Sequence, residues 1–240
     1  MQNRHQKRPS MIVSFSGIDG AGKSTQIRSL RLGLEDAGLH VKLVTFWEDV
    51  ARLKSIREGA GHSIFKGDRG VGSPSAPIHR RDKNVRSSSM TLIRLVLYVV
   101  DAISTRFAIE RARRANADVV IFDRFIYDEL ANLSLGNPVL RLYAQLVLKL
   151  VPKPDISYLL DADPVQARAR KPEYPLDFVL INRQSYLDLS KIVDRMIVVP
   201  ALPIDEVKCI VLRRALDGFM VEGVGVCGEV ASRIYLGQDG

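Results

Sequence analysis

Five short runs of apolar, mostly β-branched residues recur along the chain: Met11 to Phe15, Val41 to Phe46, Val119 to Phe122, Ile156 to Leu160, and Met196 to Val199. Each ends at or near polar or small residues, and continuous apolar runs of this length suit strands buried on both faces. Between them the apolar positions return at helical spacing, most clearly in Ser24 to Ala37, Ser88 to Ala115, Pro138 to Leu150, and Pro164 to Leu189 with a break at Pro172 and Pro175. Strands alternating with helices predict an α/β fold of three layers, a five-stranded parallel sheet with helices on both faces. No internal repeat recurs at a fixed period.

The chain of 240 residues, 46% hydrophobic and 26% charged, is long enough to bury one large core. Disorder, collagen-like repetition and a disulfide scaffold are excluded as descriptions of the whole. The domain is read as residues 10–219, with a basic tail over 1–9 and a C-terminal tail or hairpin over 220–240. Arg4, Lys7 and Arg8 precede the apolar run from Met11, but that run is too short for a signal peptide. The apolar stretch from Thr91 to Ile109 is broken by Arg94, Asp101 and Arg106, so no membrane span is expected. Cys209 and Cys227 match no metal-ligand spacing and read as free thiols, and a cytoplasmic location follows. The formal charge of +8 favours anionic partners. Its basic residues are scattered rather than gathered in a block, which argues against a simple nucleic-acid-binding tail. One long basic loop, residues 59–86, has five glycines and two prolines and fits no compact connection.

Directly after the first strand comes Gly17-Ile18-Asp19-Gly20-Ala21-Gly22-Lys23-Ser24-Thr25, a full match to G-x-x-x-x-G-K-[ST]. Its chemistry needs these residues in this order. Glycines let successive backbone N–H groups turn inward around phosphate oxygens, the helix that follows adds its positive dipole end, and the lysine reaches the β- and γ-phosphates. The Ser24 hydroxyl would face Mg²⁺. Asp123 closes the run from Val119, at the strand end where an open α/β sheet binds its ligand, and is the second candidate for the metal.

A GTPase would need Asn/Thr-Lys-x-Asp, and the nearest run, Pro152-Lys153-Pro154-Asp155, has proline where the base-reading side chain belongs. A small kinase instead needs cations that fold over the transferring phosphoryl group. Arg168 and Arg170, in Ala167-Arg168-Ala169-Arg170-Lys171, are candidates within a lid read as residues 163–178; the other reading is a solvated helix face.

Together Gly17 to Thr25, Asp123-Arg124-Phe125, Leu160-Asp161-Ala162-Asp163-Pro164, the lid arginines and Tyr186 resemble the thymidylate kinases, within the wider group of P-loop nucleotide and deoxynucleoside kinases. The resemblance implies a P-loop NTPase core with a lid, ATP and Mg²⁺ as cofactors, and phosphoryl transfer to a nucleotide or nucleoside. It implies that Asp19 lies near the acceptor and that Arg124 contacts phosphate. Relatives commonly dimerise through their long helices.

The acceptor side departs from the family. Phe46-Trp47-Glu48-Asp49 replaces the usual Arg-Glu-Pro-Gly-Gly, Ala102 stands where an arginine holds the acceptor phosphate, and Asp128 and Asn132-Leu133 replace the family's Ser and Tyr-Gln. Arg94, Tyr98, Asp101 and Thr105 are spaced four, three and four apart, which makes one polar stripe on a helix whose other face, Ile93, Leu97, Val100, Ser104 and Phe107, reads as mostly core. The stripe is either a substrate surface or a helix-packing hydrogen-bond network. Glu48, next to Trp47 at the end of the second strand, resembles the glutamate base of deoxynucleoside kinases at a single residue; the other reading is a solvent-exposed loop acid. The candidate acceptor set is thus Glu48, Arg94, Tyr98, Asp101 and Asp128. The expected function is ATP- and Mg²⁺-dependent phosphoryl transfer to a nucleotide, a nucleoside or a related small metabolite. The alternatives are a regulatory nucleotide-binding module and a nucleic-acid-binding P-loop protein, the second predicting steep salt dependence.

Overall fold

A computed structural model describes residues 9–46 and 88–218. Strands β1 (Met11–Ser16), β2 (Val41–Thr45), β3 (Val119–Asp123), β4 (Ile156–Leu160) and β5 (Met196–Val199) form one sheet in the order β2-β3-β1-β4-β5. Every pairing is parallel, and Phe15 of β1 lies opposite Asp123 on one side and Tyr158 on the other. The central strand β1 is buried throughout because helices cover both faces, and the edge strand β2 leaves Leu43 exposed. The helices are α1 (Lys23–Asp36), α2 (Ser88–Arg114), α3 (Ile126–Leu130), α4 (Pro138–Leu150), α5 (Pro164–Arg170), α6 (Leu176–Ser190) and α7 (Ile204–Asp217). None among the described residues is long and apolar enough to cross a membrane.

Alternate residues of each strand feed two cores. Ile12, Val120, Phe122 and Leu159 meet Ala102, Ile126, Val147 and Leu189 on one side. Val13, Phe15, Ile121 and Tyr158 meet Leu30 and Leu34 of α1 and Val207 and Val211 of α7 on the other. The strand runs fall where the apolar pattern puts them. Local chemistry sets the starts of two helices: Asn137 accepts from the Val139 N–H at 2.9 Å, Asp163 accepts from the Gln166 N–H at 2.8 Å, and a proline follows each cap.

Two expectations are corrected. On α2 the faces are reversed. Tyr98, Asp101, Ala102 and Thr105 point into the protein, whereas Phe107 is 60% exposed and Val96, also 60%, and Ile103 face outward. The buried polar side works because it is internally bonded, as in the 2.7 Å bond from the Thr105 hydroxyl to the Asp101 carbonyl, and because small residues let α2 approach α3 and α4. Cys209, on α7, is disulfide-bonded rather than a free thiol. The basic tail, the 59–86 loop, Cys227 and the C-terminal tail lie outside the described residues.

Candidate active site

The C-terminal ends of β1, β3, β4 and β5 open on one side of the sheet, the side where parallel α/β sheets bind ligands. Leaving β1, the chain turns through Gly17, Gly20 and Gly22 at φ 141°, 84° and 88°. A non-glycine residue in left-handed backbone costs about 1–2 kcal/mol. Sterics add to this at Gly20, where a Cβ would lie 2.1 Å from the Ala167 carbonyl oxygen of α5. The turn hands directly into the N-terminus of α1, which concentrates unpaired N–H groups and positive dipole at the loop. Lys23 is 6% exposed, and its Nζ donates to the Gly17 and Ile18 carbonyls at 2.6 and 2.9 Å.

β3 supplies the facing wall. Arg124 is a non-glycine residue at φ 69°, held there by a backbone bond from its N–H to the Phe15 carbonyl. Such conformers cluster where function needs a side chain aimed against its preference. Its Nη2 donates to Asp19 Oδ1 at 2.5 Å, and its Nη1 lies 4.0 Å from Asp128 Oδ1. Burial works against the Arg124 cation, but Asp19 and Asp128 outweigh it and hold the guanidinium firmly charged. Burial raises the Asp123 carboxyl above the usual aspartate range, against the opposing pull of Arg124, Lys23 and Lys171. Tyr186 is raised well above the usual phenol by burial and by Asp128, so it stays a proton donor.

β4 and α5 form the third side. Arg183 of α6 grips Asp161, just past β4, through two parallel bonds of 2.6 and 2.7 Å, a fork that fixes the turn leading into α5. Lys171 Nζ stands 3.5 Å from Asp19 and 2.9 Å from the buried Glu173. Between these walls lies a cavity of about 750 Å³ lined by Asp19 to Gln26, Asp123, Arg124, Leu160 to Asp163, Gln166, Arg170 and Lys171, and closed on an apolar side by Val199 to Ile204 and Val207.

The structure thus brings Asp19, Gly20, Ala21, Gly22, Lys23, Ser24, Thr25, Asp123, Arg124 and Arg170 to one cavity. Arg168 does not line it; its Nε donates to the Tyr174 carbonyl at 3.0 Å. Tyr98, Asp101 and Asp128 are each at most 3% exposed and lie off the cavity wall. Glu48 and the Arg94 side chain fall outside the described residues. Sequence reasoning placed Lys171 in the lid run but left it out of the candidate site residues. It also missed the Asp161–Arg183 clamp and the Ser16–Asp128 bond, which no local pattern announces.

The donor set can be tested against the groups implied above. Among the described residues no group of three or more His, Cys, Asp or Glu side chains is placed to hold a metal ion by itself. Ser24 and Asp123 nevertheless offer oxygen donors to the same cavity. That set suits Mg²⁺, which keeps several waters and takes its remaining ligands from substrate phosphates. The glycine turns and the cations beside them suit a polyphosphate.

No family model matches the chain. Among curated proteins, the thymidylate kinase of Bifidobacterium longum strain DJO10A is 30% identical over 194 residues, covering 75% of this chain and 84% of that protein. The thymidylate kinase of Chlorobium limicola is 28% identical over 205 residues, 75% of this chain and 81% of its own. The probable thymidylate kinase of Archaeoglobus fulgidus is 29% identical over 222 residues, 88% of this chain and 96% of its own. With a glycine-turned phosphate loop, an Asp-Arg pair at the end of β3 and a basic segment after β4 on one cavity, and with these relatives, the chain belongs to the thymidylate kinase family, a family of nucleotide kinases.

Proposed function

We propose that the protein transfers the γ-phosphoryl group of Mg·ATP to a nucleotide, a nucleoside or a related small metabolite. The observation that carries this reading is the convergence of Lys23, Arg124, Arg170 and Lys171 on one cavity beside Asp123 and Ser24. Bound Mg·ATP would supply the transferable group. Gly17 to Thr25 hold its phosphates, Ser24 and Asp123 are the protein's oxygens for the metal, and Val199 to Ile204 offer an apolar wall to the base. Lys23, Arg124 and Arg170 place positive charge where negative charge spreads in the transition state, the main way such enzymes lower the barrier. Asp19 orients Arg124. The segment 163–178 acts as the lid: the Asp161–Arg183 clamp anchors its start, and Lys171 ties its middle to Asp19.

The relatives named thymidylate kinase support a nucleotide acceptor. Ala102, fully buried in α2, puts no cation at the position where that family holds an acceptor phosphate, which keeps nucleosides and phosphorylated metabolites in the acceptor set. The test is ADP release across nucleosides, nucleoside monophosphates and phosphorylated metabolites, with Lys23→Ala as the blank. The expected result is turnover of at least one class, lost in the Lys23 variant. Turnover unchanged in that variant would refute the mechanism. ATP binding with no phosphorylated product from any acceptor would instead mark a regulatory nucleotide-binding module.

A further inference from the structure

Asp128 is a carboxylate with unusually full employment. It lies in the first turn of α3 and is 3% exposed. Oδ2 accepts the Ser16 hydroxyl at 2.7 Å and the Phe125 N–H at 3.1 Å, and Oδ1 accepts the Tyr186 hydroxyl at 2.8 Å. These partners come from three places that the site needs in register. Ser16 is the last residue before the phosphate loop, Phe125 follows the left-handed Arg124, and Tyr186 belongs to α6, the helix that also carries the Asp161 clamp. Arg124 Nη1 sits 4.0 Å from the same carboxylate, while its Nη2 bonds Asp19.

We infer that Asp128 is a positioning residue for phosphoryl transfer, a fixed counter-charge behind Arg124 that holds the guanidinium between two carboxylates and locks it to the base of the phosphate loop. This rests on the reading of Arg124 given under the proposed function. A long arginine side chain loses much rotamer freedom when it is aimed, and a single carboxylate at its tip leaves its plane free to turn. Asp19 alone is a poor aim, because it is shared with Lys171 and stands on the cavity wall where substrate arrives. Asp128 is enclosed, already bonded and fixed by three neutral donors, so its charge stays in place when the contacts of Asp19 change. Asparagine has the same shape and could still bond the three donors in part, but it carries no charge to balance Arg124.

The test is a double-mutant cycle on the full chain. Turnover and ATP affinity are measured for the wild type, Asp128→Asn, Arg124→Ala and the double variant. With Arg124 present, Asp128→Asn should lower kcat/KM about tenfold; in the Arg124→Ala background the same change should cost less than about twofold. Equal losses in the two backgrounds overturn the inference, because a carboxylate that only holds α3 together costs as much without Arg124 as with it. Should Asp128→Asn fail to fold, Tyr186→Phe removes one donor, keeps the charge, and carries the same cycle with a smaller expected loss of about threefold. A wild type that binds ATP but phosphorylates no acceptor defeats the phosphotransfer reading alone. The cycle is then read in the ATP Kd, where non-additivity is again expected and additivity overturns the role of Asp128.

Discussion

Gly20 and Gly22 share a backbone conformation and differ in what surrounds them, which makes them a matched pair for testing whether α5 rests on the phosphate loop. Both have φ near the left-handed region, 84° and 88°. Alanine at either position therefore carries the same local penalty, about 1–2 kcal/mol. At Gly22 nothing lies within 4 Å of the added Cβ, so that penalty is the whole cost. At Gly20 the Cβ would stand 2.1 Å from the Ala167 carbonyl oxygen, 2.8 Å from its carbon and 3.0 Å from its Cα. These are backbone atoms of a helix capped by Asp163 and tied through Arg168 to Tyr174, so no side chain can swing aside. Relief requires α5 or the loop to move by about 1 Å, a kind of overpacking that costs roughly 1–3 kcal/mol more.

For a domain of this size each kcal/mol lowers Tm by about 2–4 °C. Gly22→Ala should thus lose roughly 2–8 °C in a calorimetric melt, and Gly20→Ala should lie roughly 2–12 °C below Gly22→Ala. ATP affinity, measured by titration calorimetry, should fall further for Gly20→Ala because the displaced segment carries Arg170 and Lys171 into the cavity. Equal melting temperatures for the two variants would refute the contact between the lid helix and the loop, and with it the reading of residues 163–178 as a lid seated on the phosphates.

Three further outcomes follow from the same geometry. Arg170→Ala should lower kcat by about a hundredfold or more, as removal of a cation from the transferring group does, whereas Arg168→Ala, whose Nε is committed to the Tyr174 carbonyl, should act mainly through lid stability and lower Tm with a much smaller kinetic effect. Comparison of kcat with Tm for the two variants separates these roles. Because burial raises the Asp123 carboxyl, metal binding should fail on acidification at a pH above the ordinary aspartate range, and the acid limb of kcat/KM should shift accordingly and change shape in Asp123→Asn. The stability linkage has the matching sign: the folded state binds this proton more tightly, so Asp123 lowers stability as pH rises from the ordinary aspartate range through its raised value, and Asp123→Asn should flatten that part of a Tm–pH curve. Asp161→Asn should weaken the fork with Arg183 and make the 163–178 segment more open to limited proteolysis, while α1 and the sheet remain as resistant as in the wild type.

How much of this was legible in the sequence depended on whether the signal was local. A buried parallel strand writes itself as an unbroken apolar run, and β4 and β5 begin and end where those runs do. The phosphate loop is legible because its chemistry sits within nine consecutive residues. Helix α7 was missed although it carries its own punctuation: Pro203 before it, Asp205 and Glu206 in the first turn, Val207, Val211 and Ala215 four apart, and Gly218 after it. Helix α3 has only five residues and no periodicity to detect. For α2 the period was right and the face wrong. Apolar and polar stripes of similar width ran side by side, and tertiary packing against α3 and α4 decided in favour of the stripe with Ala102 and Thr105. The Asp161–Arg183 fork joins residues 22 apart, and the Ser16–Asp128 bond joins residues 112 apart, so neither could be read before the chain was folded.

The +8 charge with which the chain seemed to advertise an anionic partner is not what equips the cavity. Its lining holds Lys23, Arg124, Arg170 and Lys171, and against them Asp19, Asp123, Asp161 and Asp163. A wall of matched charges has no great pull on a free polyphosphate at a distance. What it has, in Lys23 and Arg124, is cations already largely desolvated and aimed, each kept in place by a partner that can give it up: Lys23 by the Gly17 and Ile18 carbonyls, and Arg124 by Asp19, which Lys171 shares. Asp161 is outside this exchange because Arg183 holds it, and Asp123 is left as the one acid whose burial calls for a cation. This arrangement supports the proposal of a phosphate that arrives with its own metal. Under the proposed function, Asp123 and Ser24 would hold the metal and the loop the phosphates, and Arg124 and Lys171 would pass from Asp19 to the transferring group. On this account Asp19 is the residue that must let go at the moment of transfer, and Asp128 the one that must not.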